Sequence, residues 1–516
     1  MIPLRWRLKK PSVNLDEVVP NQARSSAGNA SSLCYVPTRL WPKPCAVLTT
    51  LLAARQANVV QWLCDFGFIG LDLISSTNFT TARIPGRMNR KTIFVLLLAI
   101  GCNVVAAALS QRVDYWDSET GRIAAHIASG QGFSSPFHEP TGPSAWIPPV
   151  YPYLLAAIFR IFGVFSRGSY WIAVAINIAV HALTSMVLYR AAGEAFGSRV
   201  GYYSACALAS SPLLFYPTVQ ILGENGRGLF IPPNIIWYTH LSELAIMILI
   251  WFTLHPPRWI LYGTIWGIAA LINPTILAVA PAFLAWHFAT YKSWRYLSLT
   301  LLVAASCVTP WLIRNYSVFH RPVFIRDNFG VELRVGNQPG QHGRWSADLH
   351  PDSSDYELRR VSAMGEADYA RACGEEALRS IAARPGAFLA NVIRRIGYWW
   401  IGNPIPGKSR TLGRLKFLKY LPQLIFSVLA FVGAIFTVRQ RNHQGWLFVA
   451  VLVLYPLIYY ITHTFEGGFF YQYPMHPEML ALATAGICNS GVLGLDSGKR
   501  EQAKTLVFAQ VVPASR

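Results

Sequence analysis

The chain has 516 residues, of which 53% are hydrophobic and only 14% charged, and its mean hydropathy is +0.32. Soluble domains carry about 25% charged residues, so this composition excludes an ordinary soluble protein and places most of the chain in lipid. The net charge of +20 comes from Lys and Arg in short connections and in one long hydrophilic stretch. That distribution indicates membrane topology and anionic lipid as the partner, and no nucleic acid.

Residues 1–87 differ from the rest of the chain. They mix Pro, Ser, Asn and Arg with modest apolar patches and contain no secretory signal. Met88-Asn-Arg-Lys91 is then followed directly by an apolar run, which is typical of the beginning of a membrane protein. We expect Met88 to be the biological start and residues 1–87 to be non-native. The alternative is a disordered cytoplasmic extension, which peptides from residues 1–87 in cell-derived protein would establish.

A membrane-spanning helix needs about 20 apolar residues, because the hydrocarbon layer is about 30 Å thick and a helix rises about 1.5 Å per residue. The runs that meet or approach this length are Thr92–Leu109, Trp171–Ala192, Tyr202–Ile221, Thr239–Leu254, Trp259–Tyr291, Leu297–Leu312, Leu418–Val438, Trp446–His463 and Pro477–Leu493. The run from Trp259 is too long for one crossing, and Asn273-Pro274 interrupts it. The sequence therefore predicts an all-α polytopic membrane protein with about ten spans.

The orientation follows from the Lys and Arg residues, which are enriched in short cytoplasmic loops. With the chain starting inside, every inner connection is basic, and Arg227 in a short outer loop is the exception. Two hydrophilic segments then lie outside. The resulting organisation is a membrane module at 88–312 with a first outer loop at 110–170, an outer helical region at 313–417, C-terminal spans at 418–493 and a cytoplasmic tail at 494–516. Within the outer region, apolar spacing predicts helices at Ala367–Ala383 and Gly386–Trp400, separated by Pro385.

The first outer loop carries the most specific motifs. Carboxylates just past the first span precede Gly130-Gln-Gly132-Phe133, Thr141-Gly-Pro143, Trp146 and Pro148-Pro149-Val-Tyr151-Pro152. This pattern resembles the GT-C glycosyltransferases, in particular bacterial relatives of the protein O-mannosyltransferases and the lipid A aminoarabinose transferase. Further matching stretches follow in the same order, at Gly267–Thr275, Thr309–Tyr316, Gly336-Asn337 and Tyr471–Pro477.

The resemblance implies an inverting glycosyltransferase in the inner (plasma) membrane, with its active site on the periplasmic or extracellular side. Its partners would be a polyprenyl-phosphate sugar donor, membrane lipid, and an acceptor glycan, lipid or protein. Transfer requires a base that takes the proton of the acceptor hydroxyl, and one carboxylate suffices because phosphate is a good leaving group. The family's acidic residue lies about one helix before the Gly-rich end of the loop. This favours Asp117 over Asp114, with Glu119 third.

The leaving phosphate requires positive charge or hydrogen-bond donors. Arg314 beside Asn315, at the outer end of a span, is the candidate, although an interfacial Arg reaching to lipid headgroups is equally compatible. Arg321, Arg326 and Arg334 follow in the same stretch, and the sequence does not rank them. Further candidates for substrate contact, each with a structural alternative, are Trp146, Tyr151, His138, Glu139 and Glu224.

The chain departs from the family at Ile147, where the aminoarabinose transferase has a Lys before its paired prolines. That phosphate contact is therefore absent or supplied elsewhere. The family differs within itself over metal dependence, so the sequence requires no cofactor and leaves a divalent metal open. His240 and Glu243, at the start of an apolar span, are functional candidates because ionisable residues are costly in lipid; both alternatively lie at the interface.

Two other functional classes are compatible with the spans. A transporter or flippase for lipid-linked saccharides would show paired internal repeats with broken helices in corresponding halves. Asn273-Pro274 is one such break, and no matching partner is evident. A non-catalytic scaffold would not need the first-loop acid.

Overall fold

The computed structural model describes residues 89–109, 117–222, 232–256, 258–402, 421–464 and 471–489, with the backbone alone for 214–222. The predictions for residues 1–87 and 494–516 therefore lie outside the described residues. Within the described ranges every regular element is helical, and two isolated β-bridges occur, Ser134–Pro143 and Arg344–Thr464. The predicted all-α class is confirmed.

The α-helices are numbered here in chain order. They are α1 (Arg90–Leu109), α2 (Glu119–Ala128), α3 (Val150–Phe162), α4 (Arg167–Phe196), α5 (Ser198–Leu222), α6 (Thr239–Leu254), α7 (Trp259–Ile272), α8 (Ala280–Tyr291), α9 (Trp294–Phe319), α10 (Phe329–Asn337), α11 (Asp355–Met364), α12 (Glu366–Ala383), α13 (Pro385–Ile401), α14 (Leu421–Arg439), α15 (Trp446–Leu454), α16 (Leu457–Ile461) and α17 (His476–Asn489). Short 3₁₀ turns occupy Pro274–Val279, Ala347–Leu349 and Tyr473–Met475.

Among the described residues, four helices are long and apolar enough to cross a membrane, namely α1, α4, α9 and α14. Shorter apolar helices occupy several other predicted runs, including α6 and α7. Four candidate spans are thus established by length and composition, and the total of about ten remains a prediction.

The predicted interruption at Asn273-Pro274 is present. Helix α7 ends at Ile272, and the side-chain oxygen of Asn273 accepts a hydrogen bond from the backbone N–H of Thr275 at 3.1 Å. Proline has no N–H to continue the helical ladder, so a 3₁₀ turn follows before α8 begins. The break turns Pro274 and Thr275 towards the cavity described below.

Small residues allow close approach between the membrane helices. A Cβ atom at Gly433 on α14 would overlap the carbonyl oxygen of Leu482 on α17, and one at Gly267 on α7 would crowd Cys307 on α9. These glycines sit where two helix backbones meet. Larger side chains there would force the helices apart.

The described part of the segment predicted to lie outside, called the outer region below, contains helices α10 to α13. The two helices predicted in it are confirmed as α12 and α13, with Pro385 at the first position of α13. Helix α9 continues to Phe319, beyond the predicted end at Leu312, because no helix-breaking residue intervenes. Arg314 therefore lies on the last turns of a helix that projects into the outer region.

Candidate active site

A cavity of about 680 Å³ forms where the first loop, the turn after α7, residues 324–353 and the segment around α16 converge. Concave sites with apolar walls and a few convergent polar groups are the usual form of a ligand site. Its ionisable lining residues are Asp117, Glu119, Arg326, Glu332, His350, Asp352 and His463. Its aromatic walls include Trp146, Trp237, Tyr238, Trp345, Tyr459 and Tyr471.

The start of α2 positions the first-loop carboxylates. Ser118 caps the helix, with its side-chain oxygen accepting from the backbone N–H of Gly121 at 3.4 Å. This cap leaves Asp117 just before the helix and Glu119 in its first turn. One turn on, the Nε of Arg122 donates to the Oδ1 of Asp117 at 2.8 Å.

Arg122 connects the first loop to the outer region. Its Nη1 donates to the Oδ1 of Asp352 at 2.5 Å and to the carbonyl oxygen of Pro136 at 2.8 Å. The Arg122 side chain is 9% exposed, whereas that of Asp117 is 65% exposed. Asp117 is therefore oriented by a buried guanidinium while its carboxylate stays open to the cavity.

Glu119 experiences a different environment from Asp117. Burial raises its pKa, the nearby charge of Asp352 raises it further, and Arg122 opposes both, giving a pKa of about 7. His350 faces Glu119, with its Nε2 at 3.8 Å from the Oε1 of Glu119. Burial lowers the pKa of His350, which keeps this imidazole neutral.

A second set of ionisable residues, Glu332, His463 and Arg326, also lines the cavity. The Nε2 of His463 hydrogen-bonds to Glu332. Burial raises the pKa of Glu332, but His463 and then Arg326 outweigh it and lower that pKa to about 2. Arg326 donates through Nε to the carbonyl oxygen of Trp146 at 3.0 Å and through Nη1 to the hydroxyl of Tyr238 at 3.4 Å.

Arg326 keeps donor capacity towards the cavity. Its Nη2 lies 3.9 Å from the Oε1 of Glu332, which is longer than a hydrogen bond. The other two arginines left unranked by the sequence form ion pairs outside the cavity lining. Arg321 binds both carboxylate oxygens of Asp368, at 2.7 and 3.0 Å, and Arg334 is buried against Glu357.

Arg314 and Asn315 lie outside the cavity lining and join elements of the fold. Arg314 donates to the carbonyl oxygens of Ser144 at 2.6 Å and Phe133 at 2.8 Å. Its guanidinium also lies 4.8 Å from the ring centre of Trp311, within cation–π range. Asn315 donates to the carbonyl oxygen of Phe324 at 2.8 Å. Arg314 therefore holds the first loop onto the end of α9 through Nη1 and Nη2.

The structure places the remaining candidate residues from the sequence in different environments. Trp146 lines the cavity. Tyr151 is buried in α3 and absent from the lining, and Glu139 is exposed. The Nε2 of His138 lies 3.2 Å from the Nη2 of Arg122 and 3.6 Å from Asp352, at the rim of the Arg122 network. Asp114 and Glu224 lie outside the described residues.

Sequence reasoning missed Glu332, His350, Asp352 and His463. Each comes from a stretch with no local motif, and each reaches the cavity through folding of the outer region against the membrane helices. Within the described residues, the group whose donor atoms converge closely enough to hold one metal ion is His181, His240 and Glu243. That group lies outside the cavity lining.

Residues 147–313 match the family model of dolichyl-phosphate-mannose-protein mannosyltransferases. The match confirms the GT-C resemblance that the motifs indicated. It covers about a third of the chain, from the residue before Pro148 to Ile313 within α9, and includes the Asn273-Pro274 break. It begins after Asp117 and Glu119.

Three solved structures of membrane glycosyltransferases show a distant likeness. An oligosaccharyltransferase of Archaeoglobus fulgidus in complex with zinc and sulfate aligns with 82% of this chain at a TM-score of 0.38 and 11% identity. AglB from the same organism, in complex with an inhibitory peptide and a dolichol-phosphate, aligns with 83% at a TM-score of 0.43 and 14% identity. In both cases the alignment spans 52% of the archaeal chain, so this chain matches about half the length of those enzymes.

The third structure is ArnT from Cupriavidus metallidurans bound to undecaprenyl phosphate. It aligns with 77% of this chain and 78% of its own length, at a TM-score of 0.32 and 13% identity. No curated protein sequence matches the chain significantly.

Proposed function

We propose that this chain is an integral membrane glycosyltransferase that moves a sugar from a polyprenyl-phosphate-linked donor to an acceptor glycan, lipid or protein. The observation that carries the proposal is the cavity, which holds the first-loop carboxylates Asp117 and Glu119 together with the guanidinium of Arg326. A base and a cation in one partly dry cavity are what such a transfer requires. The match to the mannosyltransferase family supports the class of donor.

Asp117 acts as the general base in this proposal. It takes the proton of the acceptor hydroxyl as that oxygen bonds to the anomeric carbon. The bond from the anomeric carbon to the donor phosphate breaks at the same time, with its electron pair going to the phosphate, so the configuration inverts. The charge-assisted hydrogen bond from Arg122 at 2.8 Å orients the Asp117 carboxylate. Glu119, with its pKa of about 7, is partly protonated at neutral pH and suits binding of sugar hydroxyls.

Arg326 binds the donor phosphate. Two of its donors are fixed by Trp146 and Tyr238, which orients the guanidinium, and Nη2 remains available at 3.9 Å from Glu332. Charge-assisted donors to a phosphate oxygen shorten and strengthen as charge develops on the leaving group. This role replaces the one expected of Arg314, whose Nη1 and Nη2 donate to the carbonyl oxygens of Ser144 and Phe133 outside the cavity lining.

The location of the reaction follows from the predicted orientation of the spans. With the basic connections inside, the cavity faces the outer side of the plasma membrane, where a polyprenyl-phosphate donor presents its headgroup. The aromatic walls, including Trp146, Trp237 and Tyr459, suit stacking on sugar rings. Because the chain spans the membrane in this proposal, the lipid part of the donor can remain in the hydrocarbon layer beside it.

The test is transfer of labelled sugar from cell-derived polyprenyl-phosphate donors in membranes that carry equal amounts of each variant. We expect Asp117→Asn to lower transfer by about 10²–10⁴-fold, the usual contribution of a general base. Glu139→Gln, an exposed acid in the same loop, is the matched control and should transfer like the native chain. Equal transfer by Asp117→Asn would move the base to Glu119 or Asp114. Movement of the donor lipid across the membrane without any product would favour a flippase.

A further inference from the structure

A second polar cluster lies buried among the apolar helices, outside the cavity. His181 belongs to α4, while His240 and Glu243 belong to the first turns of α6. Their exposures are 1%, 0% and 2%, so none of the three reaches solvent. Ionisable residues buried between apolar helices are costly and are retained for a function.

The two imidazole rings are oriented in the same way. The Nε2 of His181 lies 3.0 Å from the carbonyl oxygen of Leu208, and the Nε2 of His240 lies 3.4 Å from that of Pro232. A carbonyl oxygen only accepts, so each Nε2 carries the proton and each Nδ1 keeps its lone pair. This is the arrangement of metal-binding histidines, which donate their other ring N–H to a backbone carbonyl.

The free nitrogen atoms converge on one carboxylate oxygen. The Nδ1 of His181 lies 3.8 Å from the Oε2 of Glu243, and the Nδ1 of His240 lies 3.7 Å from it. Both separations are too long for hydrogen bonds, and none of these three atoms has a hydrogen-bond partner. Ligands at about 2.0–2.1 Å from a tetrahedral zinc ion lie about 3.4 Å apart. All three atoms lie within 4.8 Å of one another, so an inward movement of these side chains would complete the set.

The charge of the cluster also favours binding of a cation. Three acceptors face one another in a low-dielectric interior without a donor between them, which is unfavourable. Glu478 on α17 is fully buried as well and interacts electrostatically with Glu243. A divalent ion would supply positive charge beside the buried Glu243 carboxylate.

We propose that His181, His240 and Glu243 bind a divalent transition-metal ion, with zinc as the best fit. Two imidazoles and one carboxylate favour zinc over magnesium or calcium, which prefer oxygen ligands. The ion ties α4 to the beginning of α6. Tyr238, which caps α6 and lines the cavity, lies two residues before His240, so the ion positions one wall of the cavity without touching the reacting atoms.

The first test measures the metal content of the full chain, purified in detergent through an affinity tag that contains no histidine. After loading with Zn²⁺ and removal of loose metal on a chelating resin, we expect about one zinc per chain. Glu243→Gln, which keeps the side-chain volume, should lose most of it. His287→Gln is the matched control, because His287 is equally buried in an apolar helix and lies outside the cluster. A metal-free native chain, or full retention by Glu243→Gln, would overturn the proposal.

The second test needs no variant and remains informative if a variant fails to fold. Co²⁺ added to the metal-stripped native chain should produce the visible absorption of four-coordinate cobalt, and one equivalent of Zn²⁺ should displace it. Zn²⁺ should also raise the thermal unfolding midpoint of the native chain and leave that of Glu243→Gln unchanged. Absence of the cobalt spectrum in folded protein would contradict the site. Neither readout depends on sugar transfer, so the site and the proposed function can fail independently.

Discussion

Replacement of Glu119 by Gln tests the electrostatics of the cavity. In the folded chain, burial and Asp352 raise the pKa of Glu119 from its ordinary value of 4.5 to about 7. The difference of about 2.5 pH units, at 1.36 kcal/mol per unit, corresponds to about 3 kcal/mol. Because the folded pKa is raised, this group favours folding below about pH 4.5. That contribution is lost as the pH rises through about 7.

The assay is the thermal unfolding midpoint in detergent between pH 5 and 9, scanned at one rate. The native midpoint should fall relative to that of Glu119→Gln as the pH rises, because the neutral amide does not have to ionise in a buried position. The other titrating groups are shared by the two chains, so the contributions of those that do not interact with Glu119 cancel in the comparison. Glu139→Gln should follow the native chain. A native minus Glu119→Gln difference that stays flat across this pH range would refute the reasoning.

The remaining predictions concern helix packing and the outer region. Gly433→Ala should destabilise the chain by about 1–3 kcal/mol and lower its unfolding midpoint, because the added methyl group overlaps the backbone of the facing helix. Gly397→Ala is the control, because its added methyl group meets open space, and it should not lower the midpoint. Glu357→Gln should cost about 3 kcal/mol, because it leaves the buried guanidinium of Arg334 without its main partner. Asp355→Asn, on the exposed start of the same helix, is its control in the same measurement; equal midpoints for the two variants would contradict the buried ion pair.

Local chemistry allowed most of the helical architecture to be predicted. Pro274 and Pro385 each stand at the start of a new helical element, where a missing N–H costs least, and both predicted boundaries are present. The end of α9 could not be predicted in this way. The change from apolar to polar residues after Leu312 indicates where the chain leaves the lipid, but it does not end the helix, which continues to Phe319.

The candidate site likewise combines residues that a local motif predicts with residues that only the fold brings together. The motif around Asp117 is contained in one loop, and the structure places Asp117, Glu119 and Trp146 on one cavity. The roles of the arginines depend on partners that are distant in sequence. Arg314 is occupied by Phe133 and Ser144, while Arg326 reaches the cavity beside Trp146. No spacing rule distinguishes the two, because the distinction arises from how the first loop folds against α9.

The buried cluster of His181, His240 and Glu243 shows the same dependence on tertiary structure. The sequence singled out His240 and Glu243, which share one helix, as ionisable residues in an apolar run. It did not single out His181, whose ring meets them only because α4 packs against α6. Two proposed ligands on one helix can therefore be identified from the sequence, whereas the third can be identified only from the fold.

The measurement that tests the central claim most directly is sugar transfer by the purified chain with Arg326→Gln, alongside Arg321→Gln as the matched loss of one positive charge. Arg326 lines the cavity that contains Asp117, and Arg321 is paired with Asp368 outside the cavity lining. We expect Arg321→Gln to transfer sugar like the native chain and Arg326→Gln to be about 10²–10³-fold slower, the usual loss when one preorganised donor is removed from a developing anion. Transfer by Arg326→Gln at the native rate would contradict the assignment of this cavity as the site of transfer.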